Sequence, residues 1–163
     1  MKIRAVLLSM ALACALSMEL WGQTRSSFSG TWQIRSTDPP NYGGGPGGWG
    51  KPQQTITIQH TEATLTVVGP GIGDGMNLVY KLDGTDTFSE AEGASSTGVK
   101  AVVKWRTRAK WDGNRLILYT WNTALNQERD VLSLNGNTLT ITRDTESPPP
   151  NPPTATLVYA KSQ

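Results

Sequence analysis

Residues 99–111 alternate strictly over 13 positions. The odd positions are Val99, Ala101, Val103, Trp105, Thr107, Ala109 and Trp111, and the even ones include Lys100, Lys104, Arg106, Arg108 and Lys110. Side chains of a β-strand point to opposite faces in turn, so this segment has one apolar face and one basic face. A helix would scatter both sets around its circumference. The segment therefore reads as one long strand beside a core, or as two strands meeting at a bend.

The rest of the chain follows the same grammar. Thr occurs 20 times, all from Thr24 onward, alongside frequent Val, Ile and Trp, a β-favouring composition. Short alternating segments run from Phe28 to Arg35, Thr55 to His60, Ala63 to Val68, Met76 to Leu82, Arg115 to Trp121, Gln127 to Leu134, Thr138 to Asp144 and Thr154 to Lys161. Turn residues separate them: Thr61-Glu62, Asp83-Gly84, Asp112-Gly113-Asn114 and Asn135-Gly136. Residues 37–52, 69–75 and 148–153 are rich in Gly or Pro and read as loops, whereas 85–98 are polar and acidic and receive no assignment. Nine or ten sequential antiparallel strands, each with one apolar face, bury that face best by curling into an up-and-down barrel; a two-sheet sandwich is the alternative.

The N-terminus is different. Residues 1–22 hold 16 apolar residues behind a basic start at Lys2 and Arg4. This is the form of a secretory signal peptide, so the domain is expected to span 23–163 and the protein to be secreted or periplasmic. A minor alternative is a lipoprotein anchored through Cys14. Cys14 is the sole cysteine, so after cleavage near Gly22 no thiol chemistry, disulfide or Cys-based zinc site is possible. From Gln23 onward 13 Lys and Arg face 12 Asp and Glu, a balance that argues against a nucleic-acid partner driven by bulk charge. No stretch after the signal is long and apolar enough for a spanning helix.

Ser29-Gly30-Thr31-Trp32 resembles the Gly-x-Trp motif of lipocalins. Further stations are Ile56-x-Ile58-x-His60, Tyr80-x-x-Asp83-Gly84, Ala109-Lys110-Trp111-Asp112-Gly113, Leu132 through Thr140 and Leu157-Val158-Tyr159-x-Lys161. In their order and spacing they resemble small secreted bacterial lipocalin-like proteins. The resemblance implies an antiparallel barrel that can hold a small apolar ligand. It also implies that Trp32 plugs the closed end, under an arginine from a late strand. Arg143 shares parity with Leu139 and Ile141, so it should start on the apolar face and needs an aromatic ring or a carboxylate there.

The candidate interior contacts are Tyr80, Val103, Trp105 and Leu118. Tyr119 and Trp121 are weaker candidates because their parity is opposite to that of Leu118. Trp32 and Arg143 are the expected structural closure. The basic stripe is expected to pair with acids on neighbouring strands, Asp83, Asp86, Glu90 and Glu92 on one side and Glu128 and Asp130 on the other. No aromatics are expected to interleave with it on that same face, so stacking of nucleic-acid bases is not expected. His60, the sole histidine, is expected to have a structural or surface role, and no metal-ligand spacing or cofactor motif is present. Trp49, in a glycine-rich loop, reads as a loop anchor.

The expected function is therefore non-catalytic: an exported barrel binding a small apolar or amphipathic ligand, without a cofactor. The alternative is an envelope-associated protein- or glycan-binding module with a filled barrel. An enzyme would require two carboxylates converging on His60 or Arg143.

Overall fold

A computed structural model describes residues 25–44, 51–68, 77–94, 100–122, 127–145 and 155–162. The signal segment 1–22, Trp49 and the proline-rich run 148–153 lie outside the described residues. Ten strands follow in order: β1 (Gly30–Asp38), β2 (Thr55–His60), β3 (Thr64–Val68), β4 (Leu78–Lys81), β5 (Thr87–Ala94), β6 (Lys100–Asp112), β7 (Arg115–Asn122), β8 (Gln127–Asn135), β9 (Thr138–Thr145) and β10 (Ala155–Lys161). The alternating segment is thus one continuous 13-residue strand. The unassigned segment supplies β5, which ladders against β6 from Thr87↔Thr107 to Ala94↔Lys100.

All pairs are antiparallel, and the sheet order is β4-β3-β2-β1-β10-β9-β8-β7-β6-β5. Chain neighbours pair throughout except for β4 and β5, while β1 and β10 close the circle. The strands form a nearly closed up-and-down barrel whose seam lies between β4 and β5. There β4 packs against both β5 and β6 without a ladder. The Thr107 hydroxyl of β6 reaches over the seam and donates to the Val79 carbonyl oxygen of β4.

Two-residue turns join β6 to β7 and β8 to β9. Each begins with a glycine at positive φ, Gly113 at 58° and Gly136 at 57°, where a Cβ would be strained. These short turns lie at the same end as Phe28 and the 61–63 connection. The other end carries the connections 39–54, 69–77, 95–99, 123–126 and 146–154.

Inward-facing residues form the core. Phe28, Trp32, Ile56, Ile58, Leu65, Val67, Leu78, Tyr80, Leu116, Leu118, Leu132, Leu139, Ile141, Leu157 and Tyr159 are all buried. At the short-turn end the Trp32 indole donates to the Phe28 carbonyl oxygen at 3.0 Å. Phe28 N–H donates to His60 Nδ1 at 3.2 Å, and the rings of Phe28, His60 and Trp111 sit 5.7 to 6.1 Å apart. Gly30, at φ 148°, leaves room for the Lys161 stem, since a Cβ there would lie 2.7 Å from Lys161 Cε. This is the local reason for the glycine in the Gly-x-Trp motif.

Candidate ligand site at the long-loop end of the barrel

Arg143 has no exposed surface, and two carboxylates meet it. Its Nε donates to Asp130 Oδ1 at 2.9 Å and its Nη2 to Oδ2 at 3.1 Å, a bidentate pair. The same Nη2 lies 3.2 Å from Glu128 Oε1. Both acids are buried, each about 1% exposed. The register of β8 and β9 makes this arrangement, because Asp130 stands directly opposite Arg143 in the ladder.

The cation that lies against the Trp32 ring is Lys161, with Nζ 5.6 Å from the centroid. Trp32 pairs with Lys161 and Arg143 with Ala155. Six residues of β10 separate these stations, roughly 20 Å along a strand. Trp32 and Arg143, expected together, therefore sit at opposite ends of the barrel, and Arg143 takes the carboxylate option.

A second correction concerns the basic stripe. Asp86 pairs with Arg108 at 2.8 Å and Glu90 with Lys104 at 2.9 Å, as expected from β5. Glu128 and Asp130 do not reach the stripe, since they face the interior. Nor is the outer face free of aromatics. Tyr119 and Trp121 alternate with inward Leu118 and Thr120 and stack outside, 5.9 Å apart, with the Arg106 guanidinium 4.1 Å over the Trp121 ring. They are not interior contacts.

Of the four leading candidates, Tyr80 and Leu118 are fully buried at this site. Leu118 stands opposite Asp130 in the ladder. The Tyr80 hydroxyl and Thr120 Oγ1 are 2.7 Å apart, and Thr120 stands opposite Glu128. Trp105 is partly buried against the core, towards the long-loop end. Val103 pairs with Ala91 in the β5–β6 ladder, and its side chain lies outside what is described.

Sequence reasoning missed Glu128, Asp130 and Tyr42. Tyr42 follows a tight turn in which its N–H donates to the Pro39 carbonyl oxygen at 3.2 Å and Asn41 adopts φ 60°. Tyr42 is 8% exposed, and its buried hydroxyl faces the Arg143 guanidinium. Burial raises the Tyr42 pKa; Arg143 opposes the rise, while Glu128 and Asp130 reinforce it. Tyr159, whose hydroxyl donates to the Gln53 carbonyl oxygen at 3.2 Å, is pushed up to about 12 by burial. Burial also acts against the Arg143 charge, but Asp130 and then Glu128 outweigh it and hold the guanidinium protonated above its ordinary range.

Two carboxylates therefore do converge on Arg143, the arrangement an enzyme reading required. Both serve as ion-pair acceptors, and His60 lies at the opposite end. The site can hold a polar group inside an otherwise apolar barrel.

No family model matches the chain, and no curated protein does. Solved structures do. A REP1-NXSQ fatty acid transporter is 13% identical over 83% of this chain and 96% of its own, with a TM-score of 0.51. The Schistosoma mansoni fatty acid binding protein in complex with arachidonic acid is 14% identical over 86% and 99%, at 0.51. A secretary abundant heat soluble (SAHS) protein from Ramazzottius varieornatus is 15% identical over 85% and 98%, at 0.52. At such identities the similarity establishes the fold: this chain is a lipocalin-like barrel of the kind seen in fatty-acid-binding proteins.

Proposed function

We propose that the protein is an exported carrier of a small amphipathic ligand, with the apolar part held in the barrel and the polar head at the Arg143 cluster. The apolar run in residues 1–22 supports export. The observation that carries the binding reading is the buried Arg143–Asp130–Glu128 cluster. A buried ion cluster costs desolvation and is often matched or exceeded in stability by an apolar replacement. Its place among Tyr80, Leu118, Thr120 and Tyr42, at the end with the long connections, suits recognition of a polar group. The solved structures that share the fold include a fatty acid transporter and a fatty acid binding protein, which agrees with this reading.

Among the described residues, the core side chains retain almost no accessible surface, so a ligand seated among them must displace some. Leu118 and Tyr80 are the side chains next to the cluster that would give way. The test is titration of the purified domain with neutral 1-N-phenylnaphthylamine, followed by fluorescence. Saturable binding of one probe per barrel, weakened about tenfold or more by Leu118→Trp in a variant that keeps its fold, supports carriage. Absence of saturable binding overturns it.

The near-zero interior exposure favours one second reading, a filled barrel that binds through its outer face. That face carries exposed Phe88 (73%) and Val102 (53%) beside the Tyr119–Trp121–Arg106 stack. It predicts that Phe88→Ser abolishes capture of a partner while leaving probe binding unchanged.

A further inference from the structure

Phe88 and Val102 are the exposed large hydrophobic residues among those described, and both lie on the outer face of the β5–β6 pair. The ladder fixes their neighbours. Phe88 stands opposite Arg106, Glu90 opposite Lys104 and Glu92 opposite Val102. The two apolar side chains are therefore roughly 13 Å apart along the strands. The Lys104–Glu90 ion pair lies between them. Cations outnumber acids on this face. By sequence, the outward positions of β6 hold Lys100, Lys104, Arg106, Arg108 and Lys110, against Asp86, Glu90 and Glu92 on the facing segment, five against three. Arg106 has an aromatic partner in place of an acid. Its guanidinium lies 4.1 Å over the Trp121 ring, whose N–H donates to Gln127 Oε1 at 2.5 Å. Asp86 feels the Arg106 charge, but both its oxygens are bound by Arg108, at 2.8 and 3.1 Å. Stacking uses the face of a guanidinium and leaves its in-plane N–H groups for an oxyanion.

We infer that this outer face of β5–β6 docks the barrel on an anionic lipid surface. The outside of a barrel is convex, so a flat surface touches it along a line. Phe88, Lys104, Arg106 and Val102 all lie on two adjacent strands, within one such line. A protein partner is best served by a contiguous apolar centre, whereas here charged side chains divide the apolar ones. A lipid interface takes them separately, with Phe88 and Val102 at the acyl boundary and Arg106 among the phosphates. Nucleic-acid bases would need a free aromatic face, and Trp121 is already stacked with Arg106 and Tyr119. The inference names a partner for the outer face described above, and it holds whether the barrel is filled or carries a ligand.

The experiment sediments the purified domain, residues 23–163, with vesicles of phosphatidylcholine and phosphatidylglycerol in equal parts, or of phosphatidylcholine alone. Binding to the anionic vesicles should be at least about tenfold tighter and should weaken as salt rises. Arg106→Gln should weaken it about fivefold, and Phe88→Ser by a similar factor. Lys81→Gln, which removes the same charge from an exposed position on β4, should leave it unchanged. Absence of binding to either vesicle overturns the inference, as does equal binding to both. Equal losses in Arg106→Gln and Lys81→Gln also overturn it, because bulk charge would then account for the binding. If Arg106→Gln does not fold, the two vesicle compositions and Phe88→Ser decide the matter. Carriage is tested separately by the probe titration, and failure of docking leaves it standing.

Discussion

Arg143 is the residue on which the account is most exposed to test. Removing it leaves Asp130 and Glu128 buried without their counter-ion. Arg143→Met should therefore cost about 3–5 kcal/mol in urea unfolding, against about 1 kcal/mol for a typical substitution. Replacing Arg143, Asp130 and Glu128 together by apolar residues of similar volume should restore most of that loss. If the single and triple variants lose the same stability, the cluster is not a self-compensating ionic unit. His60 gives a second test, at the opposite end. Its Nδ1 accepts from Phe28 N–H, and burial lowers its pKa below the usual value, so the folded state favours the neutral ring. Stability from this group is full above the unfolded pKa, near 6.5, and is lost as pH falls through the lower folded value. Acidification from about pH 7.5 to about pH 5 should lower the Tm of the wild type more than that of His60→Asn. Equal decreases would contradict this. The inward start of Arg143 was legible from its parity with Leu139 and Ile141. Its partners were also within reach, because the Asn135-Gly136 turn fixes the β8–β9 register and places Asp130 opposite Arg143. Charge argued for the outside and prevailed in the reading; parity with Leu132 argued for the inside and prevails in the structure.

Among the elements, hairpins with tight turns and clean alternation were readable, whereas β5 was not. Thr87 through Ala94 is polar and acidic, with its exposed Phe88 on the outer face, so its own sequence carries little strand signal. It is a strand because the long β6 offers it a complete ladder, a tertiary cause that no local pattern reports. The same asymmetry locates the weak point of the barrel. The strand β4 has four residues and a ladder on one side only, towards β3, and across the seam it is held by side chains such as Thr107. Amide hydrogen exchange should therefore be faster in β4 and β5 than in β7, β8 and β9, each laddered on both sides. Thr107→Val should accelerate exchange in β4 and cost about 1 kcal/mol in stability. Uniform protection around the barrel would contradict a side-chain-held seam. The glycine of the Gly-x-Trp motif acts at this scale too: Gly30→Ala meets both a positive φ and the Lys161 stem, and should cost about 1–2 kcal/mol.

For the whole molecule, alternation and turn spacing were enough to read an all-β up-and-down barrel, and ten strands in that order form it. What they could not supply was the division of the interior into two ends. At one, Phe28, Trp32, His60 and Trp111 pack with short turns. At the other, a charged cluster of Arg143, Asp130 and Glu128 is buried. That division depends on which residues meet across the barrel, a property of closure and register that no single segment carries. It is also the basis of the proposed carriage, in which a ligand enters among the long connections and places its head at Arg143. The most direct test incubates the purified domain with a mixed lipid extract, removes unbound lipid by gel filtration, and compares native with denatured masses. The account predicts one extra mass per barrel, released on denaturation and absent in Leu118→Trp. A native mass equal to the denatured one, with 1-N-phenylnaphthylamine also failing to bind, would contradict it and leave the outer face as the place to look for function.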